Sequence, residues 1–382
     1  MKLVLVGPAH PFRGGISHYN MSLYQCLAQE NEVLLIAFKR LYPEFLFPGR
    51  TQKDDSGEPF RVPSEAILDS VSPASWKKAA RRIIEFDPQV VLFQWWQPFF
   101  GPCFRRIIQR VRSLSSCQIV FLCHNIYGHE KIRVPGSDRL EVLLTRQALS
   151  LADGFLVHSD SMIPALNRFN SRASVRKIYH PLYDFFLQWD RSQKVEIGAP
   201  GRPQQLLFFG KIRKYKGLGV FLRALGKMRT KVPFRAVIAG EFYVDPAPYR
   251  RLVRDLGLQD RVVWRDRYIS NEEVPELFRS SDLVVLPYRE ATQSGVVPIA
   301  YQFEVPVIAS DVGGLSEVVL PGDTGFLVPP EDPEALARAI DAFLEIENRE
   351  SFRKNIRDFR RRLTWKQVAD SIFELASEFS RP

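Results

Sequence analysis

Two doubly wound, Rossmann-like α/β domains facing a cleft are what this 382-residue chain predicts, on three observations. The length exceeds what one hydrophobic core organises. Short apolar runs alternate with amphipathic stretches throughout, the signature of βαβ units. The rhythm pauses once, around residues 183–204, and then restarts. A hydrophobic content of 45% and a charged content of 25% are those of an ordinary globular protein, which argues against disorder.

In the first half the apolar runs are LVLVG (3–7), EVLLIAF (32–38), QVVLFQW (89–95), QIVFLCH (118–124) and GFLVHS (154–159). Each is continuous rather than alternating, as buried parallel strands are. LVLVG stops at Gly7-Pro8, too short for a signal-peptide core. No run approaches the roughly 18 apolar residues of a membrane span. Helical stretches are expected at 17–29, 74–86, 102–113, 138–151 and 160–169. Residues 39–73 show no period and read as an excursion or lid on the first domain. In the second half the strands are QLLFFG (205–210), FRAVIAG (234–240), RVVWRD (261–266), DLVVLPY (282–288), VPVIAS (305–310) and TGFLVP (324–329). Helices are expected at 217–230, 246–257, 271–280, 295–303, 333–347 and 364–379. The domains are therefore read as 1–185 and 205–360, joined by a linker at 186–204, with 361–382 a helix packing back on the first domain.

Charge and cysteines narrow the class. Cys26, Cys103, Cys117 and Cys123 form no CxxC pair and no ligand-like spacing with histidine, so neither a disulfide framework nor a structural zinc is expected, and a reducing cytoplasm fits best. The net charge is +10, of which residues through Asp184 carry +7 (23 basic against 16 acidic). Eight cations, Lys77, Lys78, Arg81, Arg82, Arg105, Arg106, Arg110 and Arg112, fall in one stretch. They form either a solvated helix face or a surface for an anionic membrane or a lipid-phosphate acceptor. No helix-turn-helix, zinc finger or RNP motif accompanies them, so no nucleic-acid partner is expected.

Three segments carry phosphate chemistry. In GPAHPFRGGISHYN, Gly14 and Gly15 precede a helix expected to begin near Ile16 or Ser17, where backbone N–H groups can approach an anion, although Gly-Gly there also serves as simple turn chemistry. In FFGKIRKYKGLGVFLRAL (208–225), Lys211, Arg213, Lys214 and Lys216 precede a helix, against its dipole unless an anion neutralises them; a solvated loop is the alternative. In residues 287–319 the turn Thr292-Gln293-Ser294-Gly295 opens a helix at Val296, and Gly313-Gly314 opens another.

Taken together, the segment G-xx-R-xx-K-G before a helix, the block PVIASDVGG-xx-E and the run DTGFLVPPEDPEALARAI resemble the retaining glycosyltransferases of family 4, or group 1, whose members have the GT-B fold. The resemblance spans roughly 205–345; in the first half it rests on rhythm, the Gly-Gly loop and a strand ending His124-Asn125 where many relatives have His-Asp. It implies sugar transfer with retention from a nucleotide-diphosphate sugar. The donor would lie on the second domain and a glycan or lipid-linked acceptor on the first, in polysaccharide or cell-envelope biosynthesis. The donor-binding set is then Gly15, Lys211, Arg213, Lys216, Thr292, Gln293, Ser294, Gly295 and Val296, with His124 catalytic. The family's glutamate pair falls here on Ala291 and Ile299, so Thr292, Gln293 and Ser294 are expected to take the donor hydroxyls. A weakened nucleotide-sugar-binding protein of the same fold is the rival reading. No Asp-x-Asp triplet occurs, so no metal and no cofactor beyond the donor substrate are expected. The protein is expected in the cytoplasm, peripherally on the membrane's inner face.

Overall fold

The computed structural model describes residues 1–44, 47, 51–127, 137–191 and 202–379. The chain divides into two compact units, one of Met1–Asp54, Pro59–Pro181 and Thr364–Pro382, the other of Asp55–Glu58 and Leu182–Leu363.

The first unit is built on strands β1 (Lys2–Gly7), β2 (Glu32–Arg40), β3 (Glu65–Asp69), β4 (Val90–Trp95), β5 (Gln118–Cys123), β6 (Gly154–Val157) and β7 (Ser174–Lys177). Helices α1 (Gly15–Leu27), α2 (Pro73–Phe86), α3 (Gly101–Arg112), α4 (Ser137–Leu149) and α5 (Ile163–Asn167) fall between them. Every pairing is parallel, in the order β3-β2-β1-β4-β5-β6-β7. Val4, Val6, Ile36, Phe38, Val91, Phe93 and Phe121 share a core with Ala79 and Ile83 of α2, Phe104 and Ile107 of α3 and Ala148 of α4. Alternate residues Leu3, Leu5, Leu35, Leu92 and Leu122 are equally buried on the other face, where α1 packs. Burial on both faces is why the strands read as continuous apolar runs.

The second unit carries β8 (Gln204–Phe209), β9 (Phe234–Ala239), β10 (Val262–Arg265), β11 (Leu283–Leu286), β12 (Val307–Ser310) and β13 (Gly325–Val328). Its helices are α6 (Leu218–Leu225), α7 (Ala247–Asp255), α8 (Val274–Arg279), α9 (Val296–Gln302), α10 (Pro333–Leu344) and α11 (Glu350–Phe359). The strand order is β10-β9-β8-β11-β12-β13, again all parallel. The last helix, α12 (Trp365–Phe379), clusters with the first unit, where Gln118 Nε2 donates to Ala376 O at 2.9 Å and Arg176 pairs with Glu374 at 3.0 Å.

Several details differ from the sequence reading. Two edge strands, β3 and β7, lie outside the apolar runs because an edge needs only one buried side; all four residues of β7 are half-buried. Helix α11 is likewise absent from the expected elements. Residues 182–185, expected to close the first domain, and 186–191, expected as linker, cluster with the second unit, where Arg279 holds the Asp190 carboxylate at 3.0 and 2.7 Å. The excursion is not wholly the first unit's: Ser56 Oγ accepts from Asn271 N at 3.2 Å, and Glu58 Oε2 accepts from Trp189 Nε1 at 2.9 Å. Both sheets reverse strand order once, between β1 and β4 and between β8 and β11, and at such switch points the loops at strand C-termini form ligand crevices.

Candidate functional site

At the second unit's switch point, β8 ends at Phe209 and the chain passes Gly210 with φ +101°. The following turn, Lys214–Lys216, returns Lys216 over that glycine. A Cβ on Gly210 would lie 2.8 Å from Lys216 Nζ, so only glycine leaves the ammonium its place. Lys216 is 8% exposed and its Nζ lies 5.5 Å from the centre of the Tyr288 ring, just beyond β11. Among the described residues it forms no ion pair. Burial pushes the Lys216 pKa down and Arg213 adds to this, against the opposing pull of Tyr215. A cation taken out of water without a counter-charge is costly, and an incoming anion removes the cost.

The surrounding turns are fixed by the same logic. Gly217, at φ +71°, caps α6 where a Cβ would lie 1.8 Å from Pro287 O. Arg289 N donates to Tyr215 O at 2.7 Å, tying the cationic turn to the end of β11. Arg213 and Lys211 lie over Tyr243, at 4.8 and 5.5 Å from the ring centre. The sequence reading misses Tyr243 and Tyr288, whose faces hold these cations; single aromatics in a polar loop carry no pattern.

The turn at 292–295 joins this cluster. Ser294 Oγ lies 3.2 Å from Tyr288 Oη and accepts from Val296 N at 3.2 Å. The Val296 N–H expected to face an anion is thus capped by Ser294 here. Thr292 O accepts from Gly314 N at 3.0 Å, and Gly313, at φ +52°, lies where a Cβ would meet Ala291 O at 1.8 Å. The Gly-Gly pair therefore braces the turn. Gln293 Oε1 is buried and has no hydrogen-bond partner among the described residues, an acceptor left open. Gly210, Lys216, Tyr288, Ser294 and Val296 come together, whereas Lys211 and Arg213 gather at Tyr243.

In the first unit Gly14, at φ +116°, is the cap of α1, which begins at Gly15, just ahead of the expected start. Asn20 on α1 anchors a directional chain. Its Nδ2 donates to Pro8 O (3.0 Å), Gln94 Nε2 donates to Asn20 Oδ1 (3.1 Å), and Gln94 Oε1 lies 2.8 Å from His124 Nε2. A carbonyl only accepts, so each amide's orientation follows from the one before, and His124 must carry its proton on Nε2. Gly7 makes room for the chain, since a Cβ there would lie 2.6 Å from Gln94 Cγ. Gln94 is legible as a polar residue within an apolar run, yet the sequence reading passes over it. His124 is 2% exposed, and burial, then His180, hold its pKa down at about 3. It is a neutral imidazole with Nδ1 as acceptor, unsuited to donating a proton near neutral pH. Tyr19 packs edge-on against His124, His158, His180 and Trp365, at 4.9, 5.3, 5.1 and 4.8 Å.

Elsewhere, Trp95 and Trp96 are core residues, donating to Ile126 O and Tyr42 Oη at 3.2 and 2.9 Å. Of the eight clustered cations, Arg82 pairs with Glu65 at 2.9 Å and Arg112 with Asp153 at 2.6 Å; the rest form no ion pair among the described residues, on helices α2 and α3 packed side by side. Among the described residues no group of three or more His, Cys, Asp or Glu is placed to hold a metal, and no helix is long and apolar enough to cross a membrane.

Residues 203–345 match the family model of group 1 glycosyl transferases. Over 248 residues the chain is 28% identical to a D-inositol 3-phosphate glycosyltransferase of Corynebacterium efficiens, covering 63% of this chain and 57% of that protein. A glycosyltransferase of Methanocaldococcus jannaschii is 24% identical over 302 residues, 74% of each chain. The chain thus spans little more than half of the Corynebacterium relative. Among solved structures, sucrose-phosphate synthase of Thermosynechococcus elongatus aligns over 99% of both chains with TM-score 0.71 and 19% identity. HepE of Anabaena in complex with UDP aligns over 99% of this chain and 100% of its own, with TM-score 0.72 and 17% identity. These likenesses establish the GT-B fold.

Proposed function

We propose that this chain, whose residues 203–345 match the family model of group 1 glycosyl transferases, moves a sugar, with retention and without a bridging metal, from a nucleotide-diphosphate sugar to a glycan or lipid-linked acceptor. The observation that carries this reading is the buried Lys216 at the β8/β11 switch point, which forms no ion pair among the described residues. A diphosphate supplies the missing counter-charge, and Arg213 adds a second cation as negative charge grows on the leaving group. HepE was solved with UDP and with UDP-glucose, which supports a donor of this class.

The sugar end of the donor is assigned to the turn Thr292-Gln293-Ser294. The open Gln293 Oε1 accepts from a donor hydroxyl in place of the glutamates that Ala291 and Ile299 replace. His124, neutral with its proton on Nε2, and Gly15 keep the donor-side roles that the family resemblance implies for them. In front-face substitution the departing phosphate oxygen takes the acceptor hydroxyl's proton, so no protein base is needed. The acceptor belongs to cell-envelope or polysaccharide assembly at the inner face of the cytoplasmic membrane.

The test is a thermal-shift screen of nucleoside diphosphates and their sugars, followed by transfer assays with and without chelator. A selective rise in melting temperature and chelator-resistant transfer are expected. Loss of transfer on chelation, restored by magnesium or manganese, overturns metal independence. The missing glutamate pair favours a second reading, a binding protein of the same fold. Donor binding with neither transfer nor hydrolysis across a broad acceptor panel would establish it.

A further inference from the structure

We propose that the exposed side of α4, with the arginines beside it, is the surface that seats this protein on an anionic bilayer; this rests on the reading of a membrane-linked acceptor above and names the contact.

Helix α4 is amphipathic in an unusual sense. Thr145, Ala148 and Leu149 are fully buried, while Leu140 and Leu143, one turn apart, are 55% and 54% exposed on the opposite side. Two leucines at that spacing on the outside of a helix gain nothing from water. The helix sits hard against α3: a Cβ on Gly101 would lie 2.1 Å from Leu144 O, so the two helices form a rigid platform.

The platform is cationic around Leu143. Leu143 shares a groove of about 370 Å³ with Arg105, Arg146 and Arg168, and a second groove with Arg105, Arg106 and Trp76. None of these four arginines forms an ion pair among the described residues, in contrast to Arg82 and Arg112 nearby. Of the acids on α4, Asp138 is exposed in the first turn, and Glu141 is half-buried and acts on Tyr127.

Protruding leucines, one of them set among guanidinium groups that form no ion pair among the described residues, match one chemistry best. Phosphate headgroups satisfy the arginines while the leucines enter the acyl boundary. A nucleic acid would leave the leucines in water. An acidic protein partner is the competing occupant and would bind without any response to vesicles. The α2 cations Lys77 and Lys78 lie outside both grooves, so the contact is narrower than the whole basic stretch.

The experiment is co-sedimentation of the full chain with phosphatidylcholine vesicles, with and without about one-third phosphatidylglycerol, at low and physiological salt. Wild type is expected to partition onto the anionic vesicles only. The double variant Leu140→Ser/Leu143→Ser, at exposed positions, should keep its melting temperature and lose about tenfold in partition. Arg105→Glu/Arg146→Glu should abolish binding, and Lys77→Glu/Lys78→Glu should change it less than about threefold. If wild type ignores anionic vesicles, the membrane reading and this surface fall together. If wild type binds but only the α2 variant loses binding, the membrane reading stands and this surface is overturned. Loss in the arginine variant with no effect of the leucine variant overturns insertion.

Discussion

Lys216 joins two demands in one side chain. Its ammonium is buried, rests on the Tyr288 ring and forms no ion pair among the described residues, so the ligand-free protein carries the cost of desolvating it. Replacing it with an apolar chain of similar length removes that cost. Lys216→Met is therefore expected to melt no lower than wild type while transfer falls by about 2–4 kcal/mol of transition-state stabilisation. Gly210→Ala should move activity in the same direction without changing charge, because its Cβ would sit 2.8 Å from Nζ. Paired melting curves and kcat/KM values check both. A Lys216→Met protein that is clearly destabilised and still active would mean that the ammonium is structural.

At the scale of elements, what the sequence made legible follows from burial. Strands covered on both faces announce themselves as apolar runs, and β1, β4, β5 and β8 do so. Edge strand β7 and helix α11 do not. In α11 only Phe352, Ile356 and Phe359 are buried among ESFRKNIRDF, at helical spacing but amid charge, and Arg357 is tied to Glu350 and Glu304 at 2.6 and 2.7 Å by contacts no local pattern announces. The cationic turn and the Thr292–Gly295 turn are legible because glycine and charge placed against a helix dipole are local signals. The polar chain from Pro8 through Asn20 and Gln94 to His124 is not, since it links the ends of β1, α1, β4 and β5 across more than a hundred residues. Its removal is a direct test. In Gln94→Leu the His124 Nε2–H loses its acceptor, at a cost of about 1–3 kcal/mol in stability. The ring should no longer hold a single tautomer, which nitrogen-15 chemical shifts of the imidazole report. A Gln94→Leu protein retaining the Nε2–H signature would show that the surrounding packing, and not the chain, sets the proton.

Over the whole molecule the histidines are distributed one-sidedly: all six, at positions 10, 18, 124, 129, 158 and 180, precede Pro181, so the second unit contains none. Three of them, His124, His158 and His180, surround Tyr19 together with Trp365, the first residue of α12. Burial lowers all three pKa values from 6.5, to about 3 for His124 and about 4 for His180, and well below the ordinary value for His158, where His180 and His124 add to the effect. Well above pH 6.5 these groups are neutral whether the chain is folded or not, and their contribution is constant. Below it the unfolded chain takes up protons that the folded unit refuses, so stability is lost as the pH falls towards the folded pKa values. Each such histidine can cost up to about 1.4 kcal/mol per pH unit in that window. In the second unit Glu273 is held at about 2 by Arg267, and its contribution begins to fall only near and below the ordinary glutamate value of 4.5. Between about pH 6.5 and 5 the first unit should therefore weaken while the second holds. Calorimetric scans are expected to separate into two transitions, the lower one moving down with pH. Limited proteolysis at about pH 5 should cut the first unit before the second. His158→Phe, which keeps a ring against Tyr19 and removes one titrating group, should flatten the pH dependence of the lower transition. If both transitions shift together, or if His158→Phe leaves the slope unchanged, the histidine cluster is not what couples this fold to acid.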